Sequence, residues 1–96
     1  MQWVWSEAKN RANKQAHGLS FSTAQRVFDD PLAITRDDPH SDGDRWQTMG
    51  LVETMVLFVV HTWPELNREM REETGRIISA RRATRHEQRA YEEGRF

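Results

Sequence analysis

The stretch that decides the fold is MVLFVVHTW, residues 55–63. Its first six residues are all apolar, whereas a helix that crosses a bilayer needs roughly 20 such residues. Valine and other apolar side chains occupy both alternating positions, so a strand here would be apolar on both faces. We therefore predict a strand in the middle of a sheet, with one face beneath helices.

Further strands are predicted on both sides of this segment. LAITR at 32–36 and RWQTMGLV at 45–52 precede it, and the polar residues 37–44 between them are typical of a turn. GRIISARRA at 75–83 predicts the last strand. The intervening segment 64–74 is charged, and we expect it to be exposed, with a helical turn still open.

The N-terminal third predicts a short strand and two helices. QWVW, residues 2–5, alternates and favours a strand. A helix is expected over about 6–17, with Ser6 as its N-cap and Gly18 as its stop. Three alanines recur along it at a spacing of four and predict a small-residue face: Ala8, Ala12 and Ala16.

The second helix is expected to begin at Ser20 or Ser22 and to stop at Asp30-Pro31. A last helix is predicted from a capping box, Thr84 with Glu87 three residues later, to about Glu93. The predicted class is α+β in one domain, 1–96. It has two N-terminal helices packed on a mostly antiparallel sheet and a C-terminal helix.

Composition and motifs exclude several kinds of site. The chain has no cysteine, which rules out disulfides and thiolate metal sites, and no HExxH metal motif occurs. Phosphate-binding glycine-rich loops and dinucleotide-binding turns are also missing. We predict no metal and no cofactor. The start, MQWVW, does not resemble a signal peptide, so a cytoplasmic protein without a membrane span is expected.

The arginines are the residues that most clearly indicate a binding or catalytic function. The formal net charge is −1, but every lysine or arginine position in 66–96 is an arginine. Arginine recognises phosphate or carboxylate through a planar fork that lysine lacks. Strict alternation in the last strand would put Arg76 and Arg82 on one face and Arg81 on the other. Two interpretations stay open: solvated arginine stems lying over the sheet, or a pocket that binds RNA phosphate.

The histidines and tryptophans are likewise open to both a structural and a functional interpretation. His17 ends the first predicted helix, where the helix dipole favours its charged form, and His61 lies near the end of the central strand. A lone histidine is more often structural than catalytic. The tryptophans are able to stack on bases, but core or interface positions are the commoner use.

Three stretches together resemble one family, the BrnT toxins. They are KNRANKQAHGLSFSTAQRVFDDPLA at 9–33, HSDGDRW at 40–46 with a later Met-Gly, and RIISARRATRHEQRAYE at 76–92. The last stretch is the most specific, and the resemblance spans residues 3–92. Ser6 and Asp44 stand where the family usually has Asp and Glu, and the segment 64–74 is longer than usual.

The resemblance implies a RelE-like fold and the toxin of a type II toxin–antitoxin module. It implies an endoribonuclease that acts without metal, through attack of the ribose 2′-hydroxyl on the adjacent phosphate, and so inhibits translation. The expected partner is a BrnA-type ribbon-helix-helix antitoxin in a hetero-oligomer, with operator DNA bound only through that antitoxin.

Roles follow from what such a reaction needs: cations for the phosphate charge and groups that move protons. We expect Arg45, Arg76 and Arg81 to serve the phosphate. His17 or Lys14 would transfer a proton or hold the RNA backbone, with His61 in reserve as the base. The expected RNA-binding residues are Lys9, Lys14, Arg82 and Arg85.

An alternative from another class uses the same arginines. The chain would then be an antitoxin-binding or corepressor module with weak or no nuclease activity, and the guanidinium groups would dock an acidic peptide. A small DNA-binding domain ranks lower, because the last predicted helix mixes arginine with glutamate.

Overall fold

A computed structural model of the chain describes residues 1–39 and 43–96. The predicted α+β class is confirmed: within these residues a mostly antiparallel six-stranded sheet packs with three α-helices. Residues 40–42 of the predicted turn lie outside the described residues. The elements are β1 Gln2–Val4, α1 Glu7–His17, α2 Phe21–Ala24 with a 3₁₀ turn Gln25–Asp29, β2 Ile34–Asp37, β3 Trp46–Val52, β4 Met55–His61, β5 Glu65–Asn67, β6 Glu72–Arg82 and α3 Arg85–Glu92.

The sheet is ordered β1-β6-β4-β3-β2, and β5 pairs with the start of β6. The central position predicted for β4 is therefore confirmed. Its neighbours β3 and β6 run antiparallel to it, while β1 runs parallel to β6. No helix in the described ranges is long and apolar enough to cross a membrane.

A β-bulge on β6 determines which way its arginines face. Val60 of β4 pairs with Ser79, but the next residue, His61, pairs with Ile77, so Ile78 is the extra residue. The prediction of strict alternation along this strand is wrong for that reason. The bulge puts Arg76 on the same face as Ser79 and Arg81, and leaves Arg82 on the opposite face with Ala80.

Each face of the sheet has its own apolar cluster. Beneath α1 and α2 lie β4 and β6 side chains that include Leu57, Val59 and Ile77, packed with Phe21 and Val27. We call this the α1 face. The other side, the α3 face, buries Met49, Val56 and Phe58 against residues that follow β6: Ala83, Ala90, Tyr91 and Phe96. Helices thus cover parts of both faces.

The first helix is fixed to β6 by an amide rather than by apolar packing. The Asn13 side chain donates to the Ala80 carbonyl at 2.8 Å and accepts from the Ala80 amide at 3.0 Å, and it also donates to the Leu19 carbonyl. Asn13 is buried, whereas the predicted small-residue face, Ala8, Ala12 and Ala16, is exposed. Asn13 thereby satisfies backbone groups of β6 beyond the point where β1 stops pairing.

The predicted ends of the first and last helices are confirmed, whereas the second is α-helical only over Phe21–Ala24 and continues as a 3₁₀ turn to Asp29. Segment 64–74 is not a helical turn. Ser6 and Ser20 cap α1 and α2, and Thr84 with Glu87 forms the capping box of α3. Between β4 and the bulge, β5 and the start of β6 form a hairpin. Alternation of charged and apolar residues was too weak there to indicate strands.

A prediction concerns Gly50 on β3. A Cβ at this position would lie 2.8 Å from both the Cβ and the carbonyl oxygen of Val27, so the 3₁₀ turn and the sheet approach as closely as glycine allows. We expect Gly50→Ala to lower the free energy of unfolding by about 1–3 kcal/mol. Urea unfolding followed by circular dichroism measures the change. Gly43→Ala, where an added Cβ meets nothing within 4 Å, is the matched control. Equal stabilities of the two variants would contradict the packing argument.

Candidate nucleic-acid interface

The sheet separates the predicted site residues into two groups. Lys9, Lys14 and His17 are exposed residues of α1, on the α1 face. Arg82 lies on the same side, because it pairs with Leu57 of the α1-face cluster. It is also two residues after Ala80, whose backbone is hydrogen-bonded to Asn13 of α1. Arg85 opens α3 a few residues later. We call these five residues the basic rim, although Arg85 belongs to α3, on the other side of the sheet from α1.

Arg76 and Arg81 lie on the α3 face. Arg81 stacks on the Phe58 ring, with its guanidinium carbon 4.2 Å from the ring centroid. Arg76 lies between Gly75 and Ile77, which both face the α1 side: a Cβ at Gly75 would meet the Trp3 ring, and Ile77 is in the α1-face cluster. Their α-carbons are on the order of 15 Å apart along β6. The two guanidinium groups therefore suit different phosphates better than one.

The Arg81 guanidinium is bound to a carboxylate of the same chain. It donates to both oxygens of Glu87, at 2.7 and 3.0 Å, and this hydrogen bonding raises the pKa of Arg81 although burial opposes it. The same hydrogen bonding lowers the pKa of Glu87. Glu87 also accepts from the Thr84 amide in the capping box. Arg81 consequently holds the start of α3 to β6, and its charge is compensated.

Helix α3 has a second polar attachment at Asp30. The Tyr91 hydroxyl and the Leu51 amide both donate to this carboxylate. Burial alone would raise the pKa of Asp30, but these hydrogen bonds and one from Leu32 lower it on balance. Burial, and then the neighbouring Asp30, raise the pKa of Tyr91 to about 12. Tyr91 therefore anchors α3 to Asp30, at the end of the 3₁₀ turn.

His61, the predicted reserve base, is a core residue. Its side chain lies on the α1 face of the sheet and is 2 % exposed, with edge-on contacts to the Trp3 and Phe28 rings. The Thr62 carbonyl can only accept, so Nδ1 carries the proton, and Nε2 accepts from the Thr48 hydroxyl at 2.6 Å. Burial lowers the pKa of His61, against the hydrogen bond to Thr62 and the charge of Asp44.

Arg76 lines a groove of about 340 Å³ at the end of the sheet that α3 leaves uncovered. The Arg76 amide donates to the Thr62 hydroxyl at 2.9 Å, which fixes the backbone. Its side chain is exposed and makes no ion pair within residues 1–39 and 43–96. The groove is also lined by Asp44 and Glu65, and by Val4, Thr62, Trp63, Leu66, Asn67 and Thr74.

Asp44 places Arg45 at the same end of the sheet. Asp44 Oδ1 accepts from the Trp46 indole at 3.1 Å and from the Trp63 amide at 3.0 Å, which ties the start of β3 to the end of β4. Arg45 is the next residue and is exposed. We use the name sheet-end site for the groove residues Asp44, Trp63, Glu65 and Arg76 together with Arg45, which follows Asp44 in the chain but does not line the groove. It combines two cations, two carboxylates and an aromatic ring that is 50 % exposed.

Arg45 and Arg76 were among the site residues predicted from the sequence, whereas the acidic and aromatic residues beside Arg76 were not. Asp44 had a signal, since it stands in the acidic-Arg-aromatic stretch at the start of a strand. Trp63 and Glu65 had little, because only the bend after β4 brings them to Arg76. Among the described residues, no three His, Cys, Asp or Glu side chains gather into a group able to hold a metal ion.

Comparison with known families gives the chain its classification. Residues 5–87 match the BrnT_toxin family, described as the ribonuclease toxin, BrnT, of a type II toxin–antitoxin system. The match covers most of the chain, so the chain belongs to this family, and the resemblance predicted from its motifs is confirmed. A toxin of this kind has an antitoxin as its partner. Comparison with curated proteins finds no match.

The contact between Arg81 and Glu87 generates a stability prediction. We expect Arg81→Ala and Glu87→Ala each to destabilise the protein, and the double variant to lose less than the sum, with a coupling of about 1 kcal/mol. Urea unfolding of the four proteins gives the coupling energy. Arg95 with Glu93 is a matched exposed pair, and its coupling should be smaller. Additive losses at Arg81 and Glu87 would show that this pair does not hold α3.

The burial of His61 generates a pH prediction. Its folded pKa is lowered, so the unfolded chain takes up the proton first as pH falls. The stability contributed by neutral His61 is complete above about pH 6.5 and is lost below it, by at most about 1.4 kcal/mol per pH unit. Urea unfolding at pH 7.5 and 5.5 measures this loss. In His61→Gln the loss over that interval should shrink, and an unchanged loss would assign it to other groups.

Proposed function

We propose that this BrnT-family toxin cleaves RNA at the sheet-end site, with Arg76 and Arg45 binding the phosphate that reacts. The observation that carries the proposal is the exposed Arg76 guanidinium in a groove that also holds carboxylates. Arg81 differs, because Glu87 already compensates its charge. The RelE-like fold implied by the family resemblance is part of the proposal.

The basic rim is the other surface to consider, and it offers less chemistry. Lys14 and His17 are exposed on the last turn of α1, and the concavity nearest to them is lined by Arg11, Lys14 and Gln15 without a carboxylate or an aromatic ring. We assign the rim to the RNA backbone beyond the reacting phosphate. Lys9, Lys14, Arg82 and Arg85 would contribute salt-dependent affinity there, and His17 lies on the same turn of α1 as Lys14.

The proposed reaction needs no metal. The ribose 2′-oxygen attacks the adjacent phosphorus and gives its proton to a carboxylate, while the bond from phosphorus to the 5′-oxygen breaks and that oxygen takes a proton from solvent. The products are a 2′,3′-cyclic phosphate and a 5′-hydroxyl. Arg76 and Arg45 would stabilise the charge that grows on the phosphoryl oxygens.

Asp44 is the better placed of the two carboxylates for the base. Its Oδ1 is held by two N–H donors, and its Oδ2 makes no hydrogen bond to the described residues. A base held by its neighbours loses little freedom when substrate binds. Glu65 lies in the same groove but is exposed, and hydrogen bonds within the described residues do not hold its carboxylate.

The partner in this proposal is a BrnA-type ribbon-helix-helix antitoxin that neutralises the toxin and carries operator binding. The catalytically weak, antitoxin-binding alternative predicts a complex of the same composition. The two differ only in whether the purified toxin cuts RNA, so the decisive assay omits the antitoxin.

We predict that the purified toxin cleaves RNA in the presence of EDTA and that Arg76→Ala lowers kcat/KM by about a hundredfold or more. Loss of one group that stabilises transition-state charge typically costs about 2.7–4 kcal/mol. Cleavage of a labelled RNA, with detection of the 2′,3′-cyclic phosphate end, is the measurement.

Arg95→Ala is the matched control, since Arg95 is an exposed arginine near α3 that pairs with Glu93. Its activity should equal that of the wild type, and unfolding curves should show both variants folded. Undiminished cleavage by folded Arg76→Ala would refute the proposed site. A wild type that binds antitoxin but cuts no RNA would favour the binding-module alternative.

A further inference from the structure

A second cavity lies across Trp63 from the sheet-end site, on the α1 face. It measures about 410 Å³, within the range of small-ligand sites, and is lined by Trp3, Phe28, Thr35, His61, Trp63 and Glu73. Trp63 lines both cavities. An RNA strand that passes around this end of the β-sheet would place a phosphate in the groove and a neighbouring base in the cavity. We call the cavity the aromatic cleft.

The aromatic cleft is built from flat rings held rigidly. Trp3 and Phe28 stack with centroids 3.9 Å apart, and His61 meets both edge-on. Trp63, half exposed, rests against Trp46 at 4.6 Å. Rings fixed in this way bind a base by stacking and lose little entropy in doing so.

Polar groups from Thr35, Glu73 and Met1 stand at the cleft, and the N-terminal ammonium of Met1 pairs with Glu72 at 3.0 Å. The Thr35 hydroxyl hydrogen-bonds to Thr48, which in turn bonds to His61. Glu73 is exposed and makes no ion pair in the described part of the chain. No lysine or arginine side chain of the described ranges lines the cleft, whereas Arg76 lines the sheet-end groove, so the phosphates of the RNA are better placed at the sheet-end site. The two carboxylate oxygens of Glu73 accept hydrogen bonds from a group with two adjacent N–H donors.

We propose that the aromatic cleft is a base-recognition site that prefers guanine. Guanine presents two adjacent N–H donors on its Watson–Crick edge, which match the two oxygens of Glu73, whereas adenine, cytosine and uracil lack that pair. The ring system stacks on the aromatic walls. This inference rests on the proposed function, because it assumes that an RNA strand bound at the sheet-end site continues into the aromatic cleft.

Binding of 2′-O-methyl oligonucleotides tests the cleft without cleavage, since they lack the attacking hydroxyl. Oligouridines that carry one central guanine, adenine or cytosine are compared by fluorescence anisotropy. We expect about tenfold tighter binding with guanine, the size of one bidentate base contact. Glu73→Gln should abolish the preference and leave the affinity for the other oligomers nearly unchanged. Trp63→Ala should weaken all of them.

Glu69→Gln, on the same hairpin and exposed, is the matched control and should keep the guanine preference. Equal affinities for all oligomers, or a preference that survives Glu73→Gln, would overturn the inference. So would variants that bind RNA normally but no longer hold the antitoxin, because the cleft would then be a protein interface. Guanine preference without cleavage of ordinary RNA would uphold the cleft and refute the proposed function. Cleavage of ordinary RNA without a base preference would uphold the proposed function and refute the base-recognition site.

Discussion

One extra residue in β6 determines on which face of the sheet Arg76 lies. Because Ile78 has no partner on β4, the strand changes its facing between Ile77 and Ser79. Arg76 thereby leaves the side on which α1 packs and joins the open end of the opposite face. Without the bulge, Arg76 would point towards the aromatic cluster that contains Trp3, and the groove would lack its cation.

The arginines of β6 illustrate how neighbours decide what a charge does. Arg81 has a carboxylate at hydrogen-bond distance and an aromatic ring beneath it, so it holds α3 to the sheet. Arg76 has no such partner in the described residues and remains available to a ligand. Both are arginines of one strand on one face. Their different roles come from Glu87 and from the end of the sheet on which each one lies.

The parts of the fold that depend on local sequence were predictable. The apolar run of β4 placed it centrally, and the side chains of Ser6, Ser20 and Thr84 fixed helix starts through hydrogen bonds within one turn. The contacts that sequence reasoning missed join residues far apart in the chain. Asn13 reaches β6 at Ala80, a contact across most of the sequence that no periodicity indicates.

The site was predictable only in part for the same reason. Arg45 and Arg76 stood out by residue type, and the structure places both at the end of the sheet. His61 lies at the end of a strand, as expected, but its exposure depends on Trp3 and Phe28, which come from distant segments. No pattern within β4 distinguishes a buried histidine from an open one. His17 lies on α1, on the opposite side of the sheet from Arg76 and Arg81, and its predicted role remains a prediction.

The most direct test of the central claim is an NMR titration of the ¹⁵N-labelled toxin with a short 2′-O-methyl RNA, which maps where the strand binds. The account predicts that the largest amide shifts occur at residues 44–46, 62–67 and 73–76, at the open end of the sheet. Shifts confined to residues 14–17 and 82–85, on the basic rim, would contradict it.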